Sequence, residues 1–162
     1  RTVLGIMPTA TYRGLIRAAP DAVFDFVADA ENNPRWHAHV RETRWIDPPP
    51  TGLGRRGRQE GHVFFRDWTF VAEVAEWDPP HAVTFQVIEG FRVRTAIRVE
   101  PDGEGSLVTL TVTTPRIPGP GLDAFASRVM KRATRNRENG DFRRLRAALE
   151  RSVGPASQSA TE

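Results

Sequence analysis

Residues 16–36 read IRAAPDAVFDFVADAENNPRW, and the order of residue types within them decides the architecture. A strand running from Thr11 stops at Arg17, and Pro20 follows, a residue whose fixed φ suits the first turn of a helix. Asp21 sits in that turn, where a carboxylate faces the positive end of the helix dipole. Val23, Phe24, Val27 and Ala28 recur at helical spacing and are expected to face inward. Asn32, Asn33 and Pro34 give a second start signal, so one more short turn carries Trp36, which reads as exposed. Two brief helices thus separate the first strand from the second.

After Val40 the period changes from about 3.6 to 2, the switch expected where helix gives way to strand. Strands are read at Val40 to Ile46, Arg56 to Phe64 and Trp68 to Trp77. In the last of these Trp68, Phe70, Ala72 and Val74 alternate with Asp67, Thr69 and Glu73. The same alternation returns in Val83, Phe85 and Val87, then in Phe91, Val93, Ile97 and Val99, and finally in Val108, Leu110 and Val112. Glu89-Gly90 and Asp102-Gly103 mark tight turns, which makes the sheet antiparallel with one wet face. Beyond the breaker-rich linker 115–121, Leu122, Phe125, Ala126, Val129, Met130 and Ala133 form a helical stripe that Leu145, Ala148 and Leu149 resume. Between its two halves the inward positions hold Asn136, Arg137 and Gly140. Either the helix end rises off the sheet there, or the helix roofs a hollow left unfilled.

At 162 residues and without cysteine, the chain is one domain with a core of its own and with no disulfide, zinc-thiolate site or cysteine nucleophile. No apolar stretch approaches the roughly 18 residues of a membrane span, and no hydrophobic signal core opens the chain. These features give a cytoplasmic expectation. The chain starts at Arg1, not methionine, which leaves open residues ahead of it. A sequence pI near 10.4 invites a nucleic-acid reading, but the net charge is only +3 and Lys131 is the one lysine. The basicity is local: residues 122–151 carry nine basic and four acidic side chains, the rest fourteen and sixteen. A solvated helix face is the ordinary meaning of such a run, and a nucleic-acid partner is not expected.

The segments IRAAPDAVFDFVADAENNPRW, EVAEWDPPHAVTF and GDFRRLRAALE, in that order and spacing, resemble the START/Bet v 1-like (SRPBCC) superfamily, and within it the bacterial polyketide cyclase/dehydrase-like proteins. The resemblance runs from about Thr11 to Glu150. It implies an α+β helix-grip fold, in which a seven-stranded antiparallel sheet wraps around a long C-terminal helix, with two short helices after the first strand and a deep cavity between. It divides the chain into an N-terminal segment 1–10, a single domain 11–151 and a flexible tail 152–162. Members include lipid and hormone carriers, aromatic polyketide cyclases and co-chaperone-like domains.

The inward sets then give the expected lining of the cavity. Trp36 stands near the mouth, Trp68 and Phe70 on one strand, and Phe85 and Val87 on the next. Phe91 and Val93 come after them, with Val129, Met130 and Ala133 overhead. Aromatic walls suit a flat apolar ligand, although inward aromatics are also ordinary core. The strand at 56–64 has two readings, because the length of its turn before Trp68 decides which side chains face in. Either Arg58, Glu60 and His62 point inward, or Gln59, Gly61 and Val63 do.

No GxSxG elbow, phosphate loop or dinucleotide fingerprint is present. His37 and His39, with His62, make a weak metal pattern that lacks a suitable acidic ligand, so neither metal nor cofactor is expected. General acid–base chemistry in the cavity needs a proton-transfer group and a cation beside an enolate, and His62 or Glu60 with Arg58 are the candidates. Three functions follow. Binding of a small hydrophobic molecule comes first, then a cofactor-independent cyclase or dehydratase, then a protein or polyanion interaction module using the basic helix. Monomer and homodimer are both compatible with the sequence.

Overall fold

Pro20 opens α1 (Pro20–Ala28), with Asp21 in its first turn, and α1 buries Val23, Phe24, Val27 and Ala28 as the helical spacing requires. The structure, a computed structural model, describes residues 9–63, 65–115, 128 and 140–152. A 3-10 helix, Ala30–Arg35, follows directly, and its start is capped by the Asp29 carboxylate, which accepts the Glu31 N–H at 3.1 Å. These two short helices lie between β1 (Thr9–Ile16) and β2 (Val40–Trp45).

Then come β3 (Arg56–Val63), β4 (Arg66–Asp78), β5 (Ala82–Glu89), β6 (Arg94–Asp102) and β7 (Gly105–Thr113). All pairs are antiparallel, in the order β1-β7-β6-β5-β4-β3-β2. From β2 to β7 each strand pairs with the next one in sequence, and β1 closes on β7 at the far edge. Register shifts in β4–β5 between Val71 and Ala72 and between Val74 and Glu76 mark bulges. Bulges bend a sheet, and here they curve it around its contents.

A second helix, α2, occupies 140–152 and buries Phe142, Leu145, Ala148 and Leu149. Arg128, which lies between the residues of the stripe expected upstream and is not one of them, is helical. The linker 115–121 beyond Pro115, the stripe residues from Leu122 to Ala133, and Asn136 and Arg137 lie outside the described residues, as does the tail after Ser152. Beside Gly140, an added Cβ would meet nothing within 4 Å.

The core gathers at one end of the sheet. There Ile16, Val23, Phe24, Val27, Val74, Val83, Val99 and Val108 are each at most 2% exposed. Phe24 meets Trp77 edge to face with ring centroids 5.3 Å apart. At the other end the β3–β4 hairpin outruns its neighbours. Pairing with β2 stops at Val40–Gly61 and with β5 at Val71–Glu89, so residues 62–70 project past both. Among the described residues no helix is long and apolar enough to cross a membrane.

Candidate functional site

Trp36 closes the 3-10 helix by donating its N–H to the Asn33 carbonyl at 3.2 Å, and the turn throws its ring into the protein. The sequence suggested an exposed ring near a mouth, but Trp36 is 1% exposed. The polar residues of the turn around it hid its orientation, which packing decides. Its indole N–H has no hydrogen-bond partner among the described residues. Buried donors are almost always satisfied, so this one is a standing cost.

Beside Trp36 lies a cavity of about 130 Å³. Its apolar wall is Ala72 of β4, Phe85 and Val87 of β5, and Val93 and Ile97 on and before β6. Strand alternation puts these on one face of the sheet. Thr95, Gln59 and Thr43 share that sheet face and add polar groups to it, and Asn33 and His37 reach the same space from the 3-10 helix and the segment after it. The Gln59 Oε1 accepts from Asn33 Nδ2 at 2.8 Å and from Thr43 Oγ1 at 3.4 Å. That leaves its amide N–H groups without a partner among the described residues. Trp45, also in the wall, is fixed by donating its indole N–H to Asp29 at 3.0 Å and by the Arg55 guanidinium 4.1 Å over its ring.

His37 stacks on Trp36 with centroids 3.5 Å apart, and its Nδ1 lies 3.0 Å from Oδ2 of Asp141 on α2. Asp141 is 4% exposed, and its Oδ1 accepts from the Ala38 N–H at 3.0 Å and from Arg144 at 3.3 Å. An ionised carboxylate only accepts, so Nδ1 donates, and in the neutral ring the lone pair is on Nε2. The result is a histidine oriented by a buried carboxylate at the cavity wall, the arrangement that proton transfer requires.

Of the residues expected to line a cavity, Trp36, Phe85, Val87 and Val93 do so. Trp68 and Phe70 share the face of Ala72 but sit farther out on the projecting hairpin, stacked on each other at 4.6 Å and half-buried. Gly61 and Gly90 seat these rings, since a Cβ at Gly61 would run into Trp68 and the His39 carbonyl, and one at Gly90 would come within 2.6 Å of Phe70. Phe91 stands on the β5–β6 turn, exposed, because β6 starts only at Arg94. Val129, Met130 and Ala133 lie outside the described residues.

Arg58, Glu60 and His62 face away from the cavity, which corrects their reading as acid–base candidates. Only residues 64 and 65 separate the paired Val63 and Arg66, and that register turns Gly57, Gln59 and Gly61 inward. On the outer face Arg58 pairs with Glu60 at 3.0 Å and His62 with Asp67 at 2.8 Å, all exposed or nearly so. His62 and then Arg41 hold the Asp67 carboxyl below its usual range. His39 Nδ1 lies 3.2 Å from the His62 carbonyl. The three histidines therefore do not converge, and no metal-holding group of three or more His, Cys, Asp or Glu occurs among the described residues. Asp141, Gln59, Thr43, Asn33 and Thr95 were not singled out as site residues from sequence. Only Gln59 carried a signal, as one of the two registers weighed for β3.

The sequence matches the family described as polyketide cyclase/dehydrase and lipid transport over residues 7–150. No curated protein matches it. Among solved structures, the Zhui aromatase/cyclase of a Streptomyces species superposes with a TM-score of 0.75 at 17% identity, over 95% of this chain and 100% of that one. A START superfamily protein of Mycobacterium smegmatis gives 0.72 at 13% identity, over 88% and 97%. TTHA0849 of Thermus thermophilus gives 0.66 at 24% identity, over 87% and 99%. At such identities the likeness is one of fold: a helix-grip fold with a seven-stranded antiparallel sheet.

Proposed function

This chain belongs to the polyketide cyclase/dehydrase and lipid transport family, and from that premise we propose that it binds a small, mostly apolar molecule carrying a hydrogen-bonding oxygen. One observation carries the proposal: the apolar side chains of Phe85, Val87, Val93 and Ile97 and the polar ones of Asn33, His37, Thr43, Gln59 and Thr95 line a single space of about 130 Å³. The apolar wall rewards burial of a ring at about 25 cal/mol per Å². The N–H groups of Gln59 and the indole N–H of Trp36 favour an acceptor such as a carbonyl or phenol oxygen. The volume is close to the ~150 Å³ that takes one benzene ring and well below the ~300–1,000 Å³ of drug-sized sites. The buried portion of the ligand is therefore about one ring.

Native mass spectrometry of the purified chain, followed by a titration with 2-naphthol read from tryptophan fluorescence, tests this. Trp36 and Trp45 line the cavity, so saturable quenching is expected, and Val93→Trp should abolish it by filling the space. Quenching that survives Val93→Trp unchanged would overturn the cavity as the binding site.

The pairing of His37 with Asp141 favours a second reading, in which the bound molecule is also transformed. Nε2 of His37 would remove a proton next to a carbonyl or deliver one to a departing hydroxyl, with Asp141 keeping the ring in the competent tautomer. A cyclase so built would return an isomer of the captured molecule, and a dehydratase a product lighter by one water, the proton from His37 leaving with the departing hydroxyl. His37→Gln would then retain binding and lose conversion, whereas a carrier returns the molecule unchanged in both forms.

A further inference from the structure

Phe65, at the tip of the projecting β3–β4 hairpin, is 99% exposed with φ at 64°. A bulky side chain in the left-handed region is strained, and Gly or Asn would fill the turn at lower cost. Neither burial nor backbone conformation accounts for a phenylalanine there. Phe91, 43% exposed, stands on the β5–β6 turn, which the antiparallel order places at the same end of the sheet. Each ring is followed by an arginine, Arg66 and Arg92, and Arg94 lies just beyond. None of these three has a carboxylate partner among the described residues. Elsewhere on the sheet Arg41, Arg44, Arg56, Arg58 and Arg98 are each paired with one, and Arg13 of β1 is the lone exception among the described residues.

We propose that this end of the protein docks on an anionic lipid surface. Phe65 enters the boundary between headgroups and acyl chains, Phe91 flanks it, and Arg66, Arg92 and Arg94 meet the headgroup phosphates. Exposed rings grouped with unpaired cations are the composition such a boundary selects. The shape excludes the alternatives. A helical or proline-rich peptide needs a groove, which a hairpin tip that projects beyond its neighbours does not offer, and an added strand would use the backbone edge and leave Phe65 and Phe91 unused. A second copy of the chain would bring the same unpaired arginines face to face. The inference stands apart from the ligand reading, although Val87 and Val93 flank the β5–β6 turn and line the cavity, so the docked end is also the one that holds the space.

Flotation of the full chain with vesicles of phosphatidylcholine alone, or mixed with phosphatidylglycerol, tests the proposal. Binding is expected only to the mixed vesicles and should weaken as salt rises. Phe65→Asn should cut partitioning at least about tenfold, the loss expected for one buried ring. Because Asn tolerates the left-handed backbone, the melting temperature should hold or rise, which separates loss of docking from loss of fold. Arg66→Gln and Arg92→Gln should each cut partitioning about fivefold. Equal binding to neutral vesicles, no binding by the parent chain, or full binding by Phe65→Asn would overturn it. So would a lipid-free dimer that Phe65→Asn dissolves.

Discussion

The interiors of the two ends of the sheet are packed differently, although each end also shows large apolar side chains to solvent, Ile46 and Leu53 at the closed end and Phe65 and Phe91 at the open one. At the closed end α1 lays Val23, Phe24 and Val27 against Val74, Val83, Val99 and Val108, all but water-free, with the Phe24–Trp77 contact completing the packing. At the open end the large side chains are Trp68, Phe70, Phe65 and Phe91, half-buried or exposed, and the polar groups of Trp36 and Gln59 are left with spare donors. Close packing stabilises, and unsatisfied donors and exposed rings cost stability. The difference teaches that close packing at one end secures the fold, so the open end can keep spare donors and loosely packed rings that a core would not tolerate.

The largest expected effect tests that division directly. Phe24→Ala removes a fully buried ring from the closed end and should cost about 3–5 kcal/mol. Trp68→Ala removes a larger ring from the open end, yet should cost only about 1–2 kcal/mol, because its partner Phe70 and solvent already share its surface. Urea denaturation of both variants measures the pair. Equal losses would break the comparison. 2-Naphthol quenching should persist in Phe24→Ala wherever it remains folded, since Phe24 does not line the cavity.

Asp141 sharpens the contrast, being a buried charge on the open side. It satisfies the Ala38 N–H, His37 and Arg144 at once. Asp141→Asn should cost about 2 kcal/mol, the range for charge-assisted hydrogen bonds, and should release His37 from its fixed tautomer. His37→Gln, at a side chain still a quarter exposed, should cost about 1 kcal/mol or less. Nitrogen chemical shifts of the imidazole in the Asp141→Asn variant report the tautomer. An unchanged Nδ1–H signature would show that Asp141 does not orient the ring.

Much of the closed end was legible in the sequence, because helical and strand periods fix which face is buried without reference to any partner. Val23, Phe24, Val27 and Ala28 on α1, and Val83, Val99 and Val108 on the strands, are all buried as their spacing implied. The site was less legible for physical reasons that differ from residue to residue. The face of β3 depends on a two-residue turn at positions 64 and 65, where phenylalanines replace the Asn-Gly or Asp-Gly that would announce it. His37 and Asp141 are 104 residues apart, and no local pattern links them. Trp36 follows AENNPR, a polar run that suggests surface, and its burial comes from tertiary packing that no local pattern announces.

The smallest effect belongs to an ion pair at the outer rim of the closed end. There Asp47 accepts from the Arg56 N–H at 2.8 Å, from Nε at 3.0 Å and from the guanidinium terminus at 2.8 Å. The Arg56 side chain, then its backbone N–H, hold the Asp47 carboxyl down to about 2. An unfolded aspartate titrates near 3.9, so the folded pKa is the lower one. The pair's contribution is then complete above about pH 4 and is lost as pH falls through about 2. Asp47→Asn should lower stability slightly at neutral pH, and the gap in urea midpoint between variant and parent should narrow steadily as the pH is brought from about 5 toward about 2.5. A gap that stays constant over that interval would mean that the clamp on Arg56 adds nothing to an end already held by its apolar packing.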